Sequence, residues 1–413
     1  MDLRDTAEQH AFRQEARQWI ATNAPRHLDE KLAASSFGRS AFEPDEYIRE
    51  SKAWQARKAD AGWACLHWPE QYGGRDATPI QRVIWAQEEG RYGYLSSLYI
   101  IGHGMCAPTL MAYASEEQKR RFLPPMARGD EIWCQLFSEP GAGSDLAGIS
   151  TRARRDGDEW VLDGQKVWTS GAQNSDWGII VTRSDPDRPK HKGMTFFFLD
   201  MRSPGIEIRP IRQAAGDAAF NEVFLSGVRV PDAQRLGGVG DGWSVSITTL
   251  MNERAAIGTS MATGFDELLA LLGELALESG PALDDGEVRC RVADWYVRAM
   301  GLRYTGYRSI TALAKGGLPG PENSIGKVVA GNMMQEIASC ALELQEVDGV
   351  LVEDAGLALR AKFPRMLMRS LGTRIEGGTD EILKNIIAER VLGLPGDVRV
   401  DRDVPFREVP RGA

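Results

Sequence analysis

Hydrophobic and polar positions divide this chain into three stretches with different periods. Up to about residue 130 the apolar positions recur at helical spacing. Phe12, Ala16, Trp19 and Ile20 share one face, behind Thr6 and Gln9 in the positions of a capping box. Further helices are predicted over 54–63, 78–92 and 95–113. Residues 115–125 read as a short helix that starts with Ser/Glu and stops at prolines. Residues 62–74, rich in aromatics and glycine, read as a packed connection between helices. Near residue 131 the pattern turns to strands. Ile132 to Phe137 is one. Residues 159–162 and 165–168 flank Asp163-Gly164, which suits a two-residue type I′ hairpin turn. Residues 177–182, 194–199, 206–211 and 221–225 follow, and Pro231 ends the run. Helical spacing returns at Gly240. Leu268, Leu269, Leu272 and Leu275 face one way, as do Met333, Ile337 and Ala341. Gly316 to Pro321 breaks two of these helices. The tail after Gly396 is expected to be loosely ordered. The fold class is therefore α+β. A helical domain (1–130) precedes a compact antiparallel β domain (131–238), a second helical domain (239–395) and a tail (396–413).

Length and composition agree with two or three soluble domains in 413 residues. The formal net charge of −9 argues against nucleic acid as a partner. Cys65, Cys106, Cys134, Cys290 and Cys340 are widely spaced, which predicts buried thiols in a reducing compartment. Scattered histidines predict no metal site. The first residues lack the order of a signal peptide, and no apolar run is long enough to span a bilayer. A cytoplasmic protein that does not enter a membrane is expected.

Two stretches carry candidate chemistry. In Gln135-Leu136-Phe137-Ser138-Glu139-Pro140-Gly141-Ala142-Gly143-Ser144-Asp145 a strand breaks into a turn. Its glycines permit close approach to the main chain, and successive N–H groups there can form an anion-binding nest. Gly164 to Gly171 repeats the theme, with Trp168, Thr169 and Ser170 at its end. Together they resemble the acyl-CoA dehydrogenase family, over nearly the whole chain. The resemblance implies a C-terminal four-helix bundle, FAD as cofactor and α,β-dehydrogenation of an acyl-CoA thioester, as in fatty acid β-oxidation. By that resemblance residues 135–144 lie along the flavin and its pyrophosphate, Trp168 covers a flavin face, and the Ser170 hydroxyl sits near flavin N5. Serine at 138 and 170 replaces the threonine of many members. Thr379 and Glu381 match positions near the flavin and its phosphates. Ser144, Trp243 and Arg254 are assigned to the substrate. A homo-oligomer, usually a tetramer in the family, and an electron-transferring flavoprotein are implied as partners.

The base is the point of departure. Many members carry a glutamate where Gly377 stands in Arg374-Ile-Glu-Gly-Gly-Thr-Asp-Glu-Ile382, and Glu376 is one residue early. A minority branch, as in isovaleryl-CoA dehydrogenase, takes the base from a helix ten residues after an aromatic in a Gly-x-Gly-aromatic turn. Here Gly240-Asp-Gly-Trp243 places Glu253 there, with Gly377 supplying an N–H for the thioester oxygen and Glu376 as the alternative base. A base on the helix often goes with branched or bulky substrates. The Arg-x-x-Phe-Gly segment that holds the FAD pyrophosphate across a subunit interface is missing. Its companion is reduced to Gln345-Glu-Val-Asp-Gly349, so the contacts of Gln345 and Gly349 with the adenine side of FAD are open. The residues also leave room for an oxygen-using acyl-CoA oxidase or flavin monooxygenase, and for a non-catalytic partner subunit.

Overall fold

The computed structural model describes residues 5–35, 40–257, 263–315, 317, 320–350, 359–398 and 401–409, with the backbone alone for 254–257 and 313–314. The first layer holds α1 (Ala7–Asn23), α2 (Asp29–Ala34), α3 (Pro44–Asp60), α4 (Pro79–Glu89), α5 (Gly93–Ser96), α6 (Ala107–Tyr113) and α7 (Glu116–Arg128). The Thr6 capping box is formed. The loop after α3 is packed as its composition predicts: Trp63, Leu66, Trp68 and Tyr72 are buried. Two helical expectations need correction. The stretch 95–113 is not one helix, because a π-helical turn at Gly102–Cys106 interrupts it. Pro108 has no N–H for the Gly104 carbonyl, and its ring crowds that carbonyl, which favours the wider turn. Conversely, α7 does not stop at its prolines. It carries Pro124 and Pro125 inside and ends at Gly129 with φ +81°, because Phe122, Leu123, Met126 and Ala127 all gain burial by continuing it.

The middle layer is one sheet. Its strands are β1 (Trp133–Leu136), β2 (Arg152–Asp156), β3 (Glu159–Ser170), β4 (Trp177–Arg183), β5 (Met194–Asp200), β6 (Ile206–Ile211), β7 (Phe220–Pro231) and β8 (Arg235–Leu236). Their order is β6-β7-β3-β2-β4-β5-β8, with β1 against β4. The sheet is antiparallel except for parallel pairings of β1 and β2 with β4. The hairpin predicted at Asp163-Gly164 does not form there. β3 runs straight through, with a register shift against β7 at that point. Gly164 is needed for a different reason: a Cβ there would lie 2.5 Å from Thr151 Oγ1. The real hairpin turns at Gly157-Asp158 and pairs β3 with β2, a strand whose Arg-Ala-Arg-Arg-Asp sequence hides it.

The last layer begins with α8 (Gly242–Ile257) and continues with α9 (Phe265–Glu274), a short ribbon of β9 (Ala276–Leu277) and β10 (Gly280–Pro281), α10 (Gly286–Ala314), α11 (Ser324–Leu344), α12 (Lys362–Thr373) and α13 (Asp380–Ile386). Leu268, Leu272 and Leu275 are buried as expected, but Leu269 is turned out to solvent. α11 is buried on several sides by α9, α10, α12 and α13 of its own chain. Four cysteines are buried, whereas Cys290 is exposed. The breaker at 316–321 lies partly outside the described residues. The tail is not loose at 401–409: Phe406 is buried against the β domain, and Lys190 holds Asp401. No helix among the described residues is long and apolar enough to cross a membrane.

One apolar core joins the three layers. Trp68, Phe122, Trp133, Phe137, Phe196 and Phe198 pack together with Val245 of α8. α8 is pinned at its start, where a Cβ on Gly242 would lie 2.7 Å from the Met194 carbonyl carbon. Thr249 completes the contact with a buried 2.8 Å hydroxyl bond to Thr109. We expect Gly242→Ala to lower stability by about 1–3 kcal/mol, the cost of overpacking against groups that cannot move aside. Urea unfolding measures this, and an unchanged midpoint would contradict the close seat of α8 on β5.

Candidate active site

The turn after β1 is held from beneath by a buried ion pair. Glu139, 8% exposed, accepts from Lys166 Nζ at 2.8 Å and from the Ser150 and Thr151 N–H groups at 2.6 and 2.9 Å. Lys166, 0% exposed, also donates to the Phe137 carbonyl at 2.9 Å. Burial alone would raise the Glu139 pKa, but Lys166, Thr151 and the Ser150 N–H overcome that and hold it below its ordinary 4.5. Burial pulls Lys166 the other way, below its ordinary 10.5, and Glu139 opposes it. The Val167 N–H donates to the Ser138 carbonyl at 2.9 Å. These bonds fasten the turn to β3 just before Trp168.

Trp168 then departs from the strand. Its φ is +60°, a strained value for a bulky side chain, within the register shift between Lys166 and Thr169. The indole is thereby turned out of the sheet, 56% exposed, with Phe220 edge-on at 5.9 Å. Thr169 Oγ1 and Gln135 Oε1 are buried and have no hydrogen-bond partner among the described residues. Ser138 and Ser170 are half-buried, and Gly143 and Ser144 are exposed. Leu136 and Phe137 are core side chains, so only their backbone is available to a ligand.

Gln135 also reaches the predicted base. Its Nε2 donates to Glu253 Oε2 of α8 at 3.3 Å. Opposite, Gly377 and Gly378 form a turn with φ +60° and +93°. A Cβ on Gly377 would lie in van der Waals contact with Glu253 Oε1, at 3.7 Å, so the carboxylate and the Gly377 turn face each other directly. Glu376 points elsewhere, into an ion pair with Arg369 at 2.5 Å. Thr379 caps α13 by accepting from the Ile382 N–H at 3.2 Å, and Glu381 is exposed in the first turn. What holds this loop belongs to no motif in the sequence. Lys327, largely buried on α11, donates to the Gly378 carbonyl, while Asp380 binds Arg374 at 2.7 Å. A lysine among the apolar positions of α11 was the available signal.

Trp243 opens α8 half-buried, edge-on to the His191 ring at 4.6 Å. The Arg254 side chain lies outside the described residues. Gln345 caps α11 and Gly349 lies in the 3-10 turn that follows it. Gln345 Nε2 donates to the Ala341 carbonyl at 2.9 Å while its buried Oε1 finds no partner among the described residues, and a Cβ on Gly349 would meet the Leu342 oxygen at 2.6 Å.

Three family models match in succession: the acyl-CoA dehydrogenase N-terminal domain over residues 6–130, the middle domain over 134–228 and the C-terminal domain over 240–392. The chain belongs to the acyl-CoA dehydrogenase family. That family comprises FAD-binding oxidoreductases acting on CH–CH groups. This chain is 36% identical to IpdE1 of Mycobacterium tuberculosis, over 94% of this chain and 98% of that one. It is 43% identical to FadE34 of the same organism over 83% of this chain, but spans only 46% of FadE34. Among solved structures it resembles the Tcur3481-Tcur3483 steroid ACAD (TM-score 0.80, 27% identity, covering 96% and 100% of the two chains). It also resembles the ChsE4-ChsE5 complex of M. tuberculosis (TM-score 0.78, 30% identity, 96% and 100%). The residues present fit FAD: an outward indole on a strained backbone, two orphaned buried oxygens, and a glycine turn with open space at Gly141 and Gly143.

We expect Lys166→Met to destabilise the protein by ~3–5 kcal/mol, because it leaves the Glu139 carboxylate buried without its cation. Glu139→Gln on top of it should recover part of the loss. Because the folded pKa of Glu139 is depressed, its stabilising contribution is complete above pH 4.5 and fades as pH falls through the folded value. Chemical unfolding of the three proteins at pH 7 and of wild type down to pH 4 checks both statements. Equal stability of Lys166→Met and wild type would contradict them.

Proposed function

We propose that this chain oxidises an acyl-CoA thioester to the trans-2-enoyl-CoA, with Glu253 taking the α proton. The observation that carries the reading is the pairing of Glu253 with the missing side chain at Gly377. A glutamate at 377 would have to adopt φ +60°, and its Cβ would stand 3.7 Å from the Glu253 carboxylate, so the two positions face the same space. Glu376 is engaged by Arg369 on the other side of the loop. Gln135 orients Glu253, and the Gly377 N–H is the donor we assign to the thioester oxygen, where charge develops as the proton leaves.

Trp168 offers a flat apolar face, and the turn 138–145 with Thr169, Ser170, Thr379 and Glu381 would hold the rest of the cofactor. FAD, when bound, supplies the two-electron acceptor. Gln345, whose buried Oε1 is unpartnered among the described residues, is a candidate for its adenine side, and Gly349 a weaker one, since close approach to Leu342 already requires it. Ser144, Trp243 and Arg254 are the residues we assign to substrate.

We take the acyl group to be bulky, since one similar structure is named a steroid ACAD and the base comes from the helix. The reduced chain is assigned to an electron-transferring flavoprotein rather than to oxygen. For assembly we propose an oligomer. The exposed Tyr296, Val297 and Tyr304 on α10 and Met368 and Leu371 on α12 support it, and one neighbour is named as a complex of two chains.

The purified protein is expected to be yellow and to release FAD on denaturation. Trp168→Ala should weaken flavin retention by removing a stacking surface. In anaerobic flavin bleaching with a turned-over acyl-CoA, Glu253→Gln should slow the reaction roughly a hundredfold or more, within the general-base range. Glu376→Gln, checked for retained FAD, should stay near wild type. A slow Glu376→Gln beside a normal Glu253→Gln would reverse the assignment.

A further inference from the structure

The C-terminal segment 401–409 lies beyond the residues that the family models match, which end at 392. It nevertheless reaches the turn that begins the candidate site. Lys190, in the loop between β4 and β5, donates from Nζ to Asp401 at 2.6 Å and to both oxygens of Asp145 at 2.9 and 3.1 Å. Burial works against the ammonium charge, but Asp401 and Asp145 more than offset it and raise the pKa above its ordinary 10.5. Asp145 closes the turn that starts at Ser138, so a single ammonium joins that turn to the tail.

The tail is anchored next to this bridge. Phe406 is 4% exposed, and the Arg183 guanidinium lies 3.8 Å from its ring centroid. The Phe406 and Arg407 N–H groups donate to the Arg188 and Pro186 carbonyls at 2.9 and 3.1 Å. Arg183 in turn donates to the Ala147 and Lys190 carbonyls, each at 2.6 Å. Tail, β4–β5 loop and residues 145–149 are thus tied at three points. A cavity of about 480 Å³ runs between them, lined by Pro140, Gly141, Asp145, Lys190, Phe406 and Val409. The turn has no apolar packing from Gly141 or Gly143 to hold its outer side, since neither would meet another atom with a Cβ. Glu139 fixes its inner side, and the bridge through Lys190 fixes its outer end.

We propose that segment 401–409 is a strap that positions the Ser138–Asp145 turn for FAD, with Asp401 and Phe406 acting through Lys190 and Arg183. Both are positioning residues. The inference rests on the reading that the turn holds FAD. An anion-binding turn gives its affinity only if its N–H groups are already in place, so loosening one end is expected to lower affinity without touching the chemistry.

The test is titration of the apoprotein with FAD, followed by flavin fluorescence, for wild type, Asp401→Asn, Asp401→Glu and Phe406→Ala. Asp401→Asn keeps the shape and removes the charge, so it stands even if Phe406→Ala folds poorly. We expect Asp401→Asn to raise the FAD Kd about tenfold, or about 1.4 kcal/mol. Asp401→Glu should recover most of the affinity. At saturating FAD the kcat of Asp401→Asn should match wild type, and without FAD its melting temperature should match that of the wild-type apoprotein, which a merely structural tail would not allow. Hydrogen exchange of the 141–148 amides in the apoprotein should quicken in Asp401→Asn. Wild-type affinity in both Asp401→Asn and Phe406→Ala, beside a wild type that binds FAD, would overturn the strap alone. A wild type that takes up no FAD would remove the reading of the turn itself, and the strap with it.

Discussion

The candidate site depends on a charge that the fold buries and pairs. A glycine-proline turn has little intrinsic preference for one shape, and Ala142 is its one side chain in the apolar core between Pro140 and Asp145. Two main-chain bonds between Glu139 and Ala142 close it, and the Glu139 carboxylate beneath, bound by Lys166 and two main-chain N–H groups, fixes it to β3. A buried pair of this kind contributes modestly to net stability, because desolvation offsets much of the attraction. Its value here is geometric. Lys166 immediately precedes the point where β3 breaks register, so the same ammonium fixes the turn and the strand that presents Trp168.

The second half of the site comes from α8 and the loop before α13, two elements with little reason to meet except packing. α8 is seated by Gly242 against β5 and by Thr249 against Thr109. The opposing loop is held by Lys327 and by the Arg374–Asp380 pair. Between them the absence of a side chain at Gly377 is the informative feature. Where a loop carboxylate would stand, a helix carboxylate does, and Gln135 from β1 ties it to the turn. The arrangement therefore brings the sheet and the last helical layer to one place, with the first layer seating α8 from behind.

Much of this was legible in the sequence, because period and turn chemistry carry the layers. The three-layer order, most strands and the glycine turn follow from spacing alone. The failures have physical causes. β2 is a charged strand with a single inward apolar residue, Ala153, so alternation is invisible. Asp163-Gly164 has the chemistry of a hairpin turn, but close approach to Thr151 is what requires that glycine. α7 runs through two prolines because its buried face outweighs them. The docked tail was missed because its anchors, Lys190, Arg183 and Phe406, are far apart in sequence and obey no period. Within the site, Gln135, Glu253 and Gly377 were accessible through resemblance to a family motif. Lys166 and Lys190 were not, since a buried lysine looks like a solvated one until its partners are seen, and Lys327 was marked only by its place among the apolar positions of α11.

The proposed chemistry turns on Glu253 taking the α proton across the space left by Gly377. The most direct measurement isolates that step from electron transfer. A 3-thia-acyl-CoA has sulfur at the β position and cannot give up a hydride, so the FAD-loaded protein in deuterium oxide can only exchange its α protons. Followed by NMR, that exchange is predicted to proceed with wild type and Glu376→Gln and to fall at least roughly a hundredfold with Glu253→Gln. Exchange that survives in Glu253→Gln and disappears in Glu376→Gln would contradict the account.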